Sequence, residues 1–225
     1  MNKGCAAVLL ALAASAASAA SAASAASAAT PASEAQWIAA ATEAVAWGRA
    51  QGMPIALEIV DGNGLPGHTP IGLASENGRC TLIVSASNNP TADKLSAMIV
   101  PELLDTFLAG AAMHEVGHCH RRLNGYPHNE KLLPVVSWIG PVRDWFARRV
   151  RTEEAYADMT AVAWVARFHP ERYTALVNEM LRVRTRFREP KHDTVALLEQ
   201  ALADGPHHAD ENLFAQADAR LNRVR

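Results

Sequence analysis

Residues 114–118 of this 225-residue chain read His-Glu-Val-Gly-His, so that two histidines stand four positions apart. On an α-helix such histidines lie about 40° apart around the axis and one turn along it, and both Nε2 atoms can reach one metal ion. Glu115 lies about 100° around from His114, close enough to contact a water molecule at that ion without ligating it. The pentapeptide therefore predicts a helix that carries two metal ligands and a general base.

The alternative interpretation of this pentapeptide is a solvated helix, since a chance match is expected in about one such sequence in fifty. Two features favour a buried helix that something packs against. Gly117 costs up to about 1 kcal/mol in a helix interior and is expected where another element approaches closely. The flanking residues are uncharged, which is typical of a buried helix: Ala111, Ala112, Met113, Val116 and Cys119.

A catalytic zinc site has three protein ligands and an open fourth position, so a third ligand is needed. His120 lies about 240° around the helix from His114, and we expect it on the helix surface instead. In the metzincin pattern a glycine would stand at position 121 and a histidine at 124, but the chain has Arg121 and Asn124. The third ligand is therefore expected from another helix.

Residues 153–158 read Glu-Glu-Ala-Tyr-Ala-Asp, which places Glu154 and Asp158 on one helix face. Two carboxylates at this spacing normally repel each other by a few tenths of a kcal/mol, as a rough figure, but a metal and an imidazole opposite them reverse the sign. We therefore expect Glu154 to be the third ligand. Asp158 is expected to accept the free N–H of a ligand histidine and to fix its tautomer.

The two motifs, at 114–118 and 154–158, resemble those of the gluzincin metallopeptidases, with Glu-x-x-Ala-Asp following His-Glu-x-x-His. They are most similar to the branch that contains the CAAX prenyl endopeptidases and their soluble secreted relatives. The resemblance implies a zincin core in which the His-Glu-x-x-His helix packs on a Glu-donating helix, with one Zn²⁺ per chain. It also implies a peptide or protein substrate that is bound in extended form along the edge strand of a small sheet.

The expected activity is zinc-dependent hydrolysis of peptide bonds, with Glu115 as general base. A donor to the developing oxyanion is also needed, and the candidates are Tyr126, His128, Tyr156 and His192. We favour His192, because loop residues beyond the Glu-donating helix can fold over the site; the alternative is an exposed or capping histidine.

The competing function is a non-catalytic zinc-binding or protein-interaction protein on the same scaffold. The apolar stretch Leu132–Ile139 could serve such an interaction, line a cleft, contact a membrane, or fill the core. Glu115 favours the enzyme, because a structural zinc site has no use for a base and usually closes its fourth position.

The first residues have the features of a secretory signal peptide, over about residues 1–28. Lys3 precedes the apolar run Ala6–Ala14, and Ser-Ala-Ala triplets supply several A-x-A cleavage sites. We expect a linker over 29–33, a single domain over 34–225, and an exported protein that is periplasmic or secreted; an uncleaved membrane anchor is the alternative. Loss of Lys3 lowers the basic residues from 21 to 20 against 23 acidic residues, and no basic patch indicates a nucleic-acid partner.

The remaining pattern predicts a mostly α fold with a small antiparallel β-sheet, of the α+β class. Helices are expected over 34–50, 101–123, 143–168, 171–188, 194–203 and 209–223. Strands are expected at Ile55–Val60 and Cys80–Ser85, joined by a long Gly- and Pro-rich loop over 61–78. In an oxidising compartment Cys80 and Cys119 can be paired, which would tie a strand to the histidine helix; two separately buried thiols are the alternative.

Overall fold

The computed structural model describes residues 31–62, 64–126, 140–187, 189–190, 192–206 and 212–223. The expected signal peptide, His128 and the stretch Leu132–Ile139 lie outside these residues. The helices are α1 (Glu34–Ala50), α2 (Pro90–Ser96), α3 (Leu104–Leu123), α4 (Gly140–Phe168), α5 (Tyr173–Arg186), α6 (Val195–Asp204) and α7 (Leu213–Asn222). The strands are β1 (Ile55–Ile59), β2 (Ile71–Glu76) and β3 (Arg79–Val84).

The α+β class is confirmed, since the described chain is mostly helical with one small sheet. The sheet is mixed, however, and the expectation of an antiparallel sheet was wrong for one of its two pairings. The strand order is β1-β3-β2, in which β1 runs parallel to β3 and β2 runs antiparallel to it. The reason is the additional strand: the chain reverses into β2 and again into β3, so that β3 points the same way as β1.

Strand β2 occupies part of the segment that was expected to be a loop. It joins β3 through a two-residue turn in which Asn77 has φ of 51° and Gly78 has φ of 72°. Positive φ at both central positions is the type I′ geometry that matches the twist of a hairpin, and Asn-Gly is the preferred pair there. This dipeptide was the local signal for the hairpin that the loop prediction over 61–78 overlooked.

Helices α3 and α4 pack closely along their length and place the two sequence motifs opposite each other. A Cβ atom at Gly117 would lie 3.0 Å from the Cα of Ala157 and 2.8 Å from the Oγ1 of Thr160. The close approach that the glycine predicted is therefore present. The other sides of α3 contact α1 and the sheet, and they bury Leu108 and Val116 in the core.

A disulfide bond joins Cys80 of β3 to Cys119 of α3, with their Cα atoms 5.9 Å apart. Of the two alternatives for these cysteines, the structure has the bridge. Both residues are buried, and the bridge ties the central strand of the sheet to the helix that carries His114 and His118.

None of the described helices is by itself both long and apolar enough to cross a membrane. The segments Pro90–Ser96 and Pro101–Leu123 reach the necessary length and hydropathy only when they are taken together, and the chain bends by 105° between them.

Candidate metal centre

Three side chains from α3 and α4 converge at the contact between the two helices. His114 Nε2 lies 3.1 Å from His118 Nε2, as expected for residues one turn apart on α3. Glu154 on α4 places Oε2 3.6 Å from His114 Nε2 and Oε1 3.4 Å from His118 Nε2. The histidines are partly buried and the glutamate is buried, and the group could hold a metal ion.

Asp158 lies one turn after Glu154 on α4 and contacts the other ring nitrogen of His114. The distance from His114 Nδ1 to Asp158 Oδ1 is 2.8 Å. With the proton on Nδ1 donated to this carboxylate, Nε2 presents its lone pair toward Glu154 and His118. The structure thus brings together the four residues that the motifs predicted for ligation and support.

Two further residues that the sequence did not single out hold Asp158 from α5 and from the loop before α6. Arg184 on α5 donates from Nε to Oδ2 at 2.9 Å and from Nη2 to Oδ1 at 2.6 Å. The hydroxyl of Thr194 donates to Oδ2 at 2.5 Å. Two buried carboxylates need a positively charged partner, and the sequence indicated this need through Glu154 and Asp158. The sequence could not identify which arginine binds the carboxylates, since positions 182, 184, 186 and 188 are all arginine.

The charges of the site keep both carboxyl groups ionised. Burial alone would raise the pKa of Asp158, but the Arg184 guanidinium and the hydrogen bond from His114 hold it well below its usual range. Burial opposes ionisation of Glu154 as well, and His118, His114 and Arg184 together lower its pKa strongly. Burial also acts to lower the pKa of His118, but Glu154 outweighs it and the pKa is raised.

Glu115 and His114 line a cavity of about 220 Å³. The rest of its wall is mainly apolar and includes Ile71 of β2, Phe107 of α3 and Leu176 of α5. Glu115 therefore borders open volume beside His114, and it is not one of the three converging residues. This is the position expected of a base that acts on a bound molecule.

Among the oxyanion candidates that the structure describes, His192 contacts Glu154, the expected third ligand. Its Nε2 lies 3.6 Å from Glu154 Oε1, and its Nδ1 lies 3.3 Å from Glu189 Oε2. Tyr126 lies elsewhere, with its ring centroid 3.4 Å from the Arg121 guanidinium carbon. The segment before α6 therefore folds against the site, as the interpretation of His192 requires.

Tyr156 is not available as an oxyanion donor, because it points to the opposite side of α4 from Glu154. Its hydroxyl is 2.8 Å from His120 Nδ1, and its ring is buried. His120 stays outside the metal group, as expected, but its placement on the helix surface was wrong. Helix α7 covers that face, and the ring of Phe214 stacks on His120 with centroids 3.7 Å apart.

Comparison of the chain with protein-family models, with curated proteins and with solved structures found no match.

Proposed function

We propose that this protein is an exported zinc-dependent metallopeptidase that hydrolyses peptide bonds with Glu115 as general base. The observation that carries this proposal is the convergence of His114, His118 and Glu154 beside the cavity that Glu115 lines. Export rests on the signal-peptide features of the first 28 residues.

The donor atoms fit zinc in kind and in spacing. In a tetrahedral site with bonds of about 2.0–2.1 Å, ligand atoms lie about 3.3 Å apart. Here the two Nε2 atoms of His114 and His118 lie 3.1 Å apart, and the Glu154 carboxylate places Oε1 3.4 Å from His118 Nε2 and Oε2 3.6 Å from His114 Nε2. Two imidazole nitrogens and one carboxylate oxygen, with no fourth member among the described residues, form the ligand set of a hydrolytic site. The chemistry that zinc supplies when bound there is Lewis acidity, which polarises a carbonyl and lowers the pKa of water.

The side chains of this chain then have separate roles in the reaction. The Glu115 carboxylate accepts a proton from the attacking water and returns it to the amine that leaves. His192 donates to the oxyanion as it develops, from its position beside Glu154. Asp158 orients His114 through Nδ1, and Arg184 and Thr194 hold Asp158 in place.

Glu115 is a general base in the proposed enzyme and has no such role in the non-catalytic alternative. A substitution of this residue therefore distinguishes the two functions. We expect the wild type to bind one zinc ion and to cleave members of a mixed peptide library, read out by mass spectrometry. Glu115→Gln should keep the zinc and lose at least about 100-fold in hydrolysis, because general-base catalysis contributes about that much or more. Zinc binding by a wild type that cleaves nothing would favour the non-catalytic protein.

Glu154→Ala tests the third ligand by metal analysis. We expect zinc occupancy to fall sharply, and undiminished occupancy would exclude Glu154 from the site. The matched control is Glu153→Gln, which alters the preceding carboxylate on the same helix; that group is bound to Arg121 at 2.8 Å and is not among the donors. The control should retain both zinc and hydrolysis.

A further inference from the structure

The open edge of the sheet presents main-chain groups of alternate β2 residues. Ser85 N donates to Pro70 O at 2.8 Å, so residues 70 and 85 form a hydrogen-bonded pair of the antiparallel ladder. Every second pair after it is hydrogen-bonded in the same way, and in these pairs the β2 residue directs its main-chain groups toward β3. The N–H and C=O groups of Ile71 and Leu73 belong to the pairs between these and point away from β3. Because β2 is an edge strand of the sheet that the described residues form, these groups face the side of the sheet on which another strand can pair.

This edge begins at the cavity of the metal centre. Ile71 lines that cavity together with His114 and Glu115. An extended peptide that pairs with Ile71 would therefore enter the cavity that Glu115 lines. Main-chain pairing of this kind binds peptides largely independently of their sequence.

The next outward-facing carbonyl on the edge is already bound by a side chain of α3. Arg122 lies four residues after His118 and shares its helix face, and its Nη1 donates to Leu73 O at 2.9 Å. An incoming strand would need this same carbonyl to accept its own N–H. The guanidinium thus takes the hydrogen bond to Leu73 O that a peptide would need for its second main-chain pair along the edge.

We propose that Arg122 is a specificity-determining residue that closes the β2 edge at Leu73. The inference rests on the proposed peptidase function. Antiparallel pairing is the more stable arrangement per residue, and in it the peptide runs from Leu73 toward Ile71 in its own N-to-C direction. The enzyme then pairs with the main chain at Ile71 and makes no further pair on the N-terminal side. Its substrate class is peptides in which the residues N-terminal to the one paired with Ile71 are not bound along β2.

The kinetic test lengthens a peptide that the wild type cleaves, by two and by four alanines at its acetylated N-terminus. The wild type should change in kcat/KM by less than about twofold. For Arg122→Met, kcat/KM should rise about tenfold when the first two alanines are added, because two additional main-chain hydrogen bonds with Leu73 become possible. Arg122→Lys keeps a donor and should behave as the wild type does. The same length dependence in the wild type and in Arg122→Met would overturn the proposal.

A matched control lies on the opposite edge of the same sheet. Arg49 donates from Nε to Ile55 O of β1 at 2.9 Å, so Arg49→Met removes an equivalent contact away from the metal centre. This variant should keep the wild-type dependence on peptide length. A gain as large as that of Arg122→Met would show that loosening of the sheet, and not opening of the β2 edge, lengthens the binding segment.

A second readout does not depend on hydrolysis. In the Glu115→Gln background, amide hydrogen exchange at Leu73 is measured with acetyl-Ala-Ala-Leu-Ala-Ala-amide and with its forms extended by two and four alanines. The added change Arg122→Met should let the extended peptides slow exchange at Leu73 by about tenfold or more, since its N–H joins the new pair. Equal exchange with and without Arg122 would overturn the proposal. Failure of the peptidase function appears separately, as an absence of library cleavage by the wild type.

Discussion

Arg184 binds both oxygens of the Asp158 carboxylate, with Nε 2.9 Å from Oδ2 and Nη2 2.6 Å from Oδ1. The same Nη2 lies 3.4 Å from Glu154 Oε2, so one guanidinium contacts the carboxylates of both Asp158 and Glu154. The side chain of Asp158 is only 3% exposed. This contact joins α5 to α4 at the candidate metal centre and balances charge where water has little access.

Substitution Arg184→Met should lower the free energy of unfolding by about 3 kcal/mol, because loss of one partner leaves a buried carboxylate uncompensated. Urea denaturation of the metal-free proteins measures this difference. Arg186→Met is the control on the same helix, since Arg186 is exposed. The control should change stability by less than about 0.5 kcal/mol. Equal losses in the two variants would show that Arg184 has no special structural role.

Substitution Asp158→Asn should weaken zinc binding by about 10- to 100-fold. The amide has nearly the shape of the carboxylate, but it no longer favours the His114 tautomer that presents Nε2. Competition with a chelator of known affinity measures the change. Asp218→Asn, in an aspartate whose side chain is 51% exposed, is the control and should leave the affinity unchanged. An unaltered affinity in Asp158→Asn would remove this residue from the support of the site.

The placement of the candidate site residues follows from local periodicity. His114 with His118, and Glu154 with Asp158, are each pairs four residues apart, and the helix geometry alone places each pair on one face. Gly117 likewise indicated a close helix contact, although its spacing does not identify the partner. Within a helix, spacing along the sequence determines relative position, and these inferences required nothing from the rest of the chain.

The parts that were missed depend on which elements meet in space. Arg184 and Thr194 reach Asp158 from other segments, and neither has a local pattern that distinguishes it from its neighbours. The parallel pairing of β1 with β3 follows from the insertion of β2 into the path of the chain. Strand β2 is short and includes Gly72, so its alternation is too weak to indicate a strand without the turn that follows.

Substitution Gly117→Ala should destabilise the protein by about 1–3 kcal/mol, because the added methyl group meets the backbone of α4. It should also weaken zinc binding, since α3 must move away from Glu154. Gly110→Ala is a matched control on the same helix, where an added Cβ would contact nothing within 4 Å. Alanine there should be neutral or stabilise by up to about 1 kcal/mol. Thermal unfolding and zinc titration of both variants provide the comparison, and a Gly117→Ala protein as stable as Gly110→Ala would contradict the packing argument.

Removal of the disulfide by the double substitution Cys80→Ala, Cys119→Ala should lower the free energy of unfolding by about 3–4 kcal/mol. The bridge spans a sequence separation of 39 residues, and the loss of this crosslink frees the unfolded chain. Zinc stoichiometry of the folded variant should stay at one, because the three proposed ligands lie on α3 and α4 whereas the bridge ties α3 to β3. Urea denaturation and metal analysis at 25 °C measure the two quantities, with the wild type in reducing buffer as the control for the substitutions themselves. A folded variant without zinc would instead show that the bridge positions the histidines.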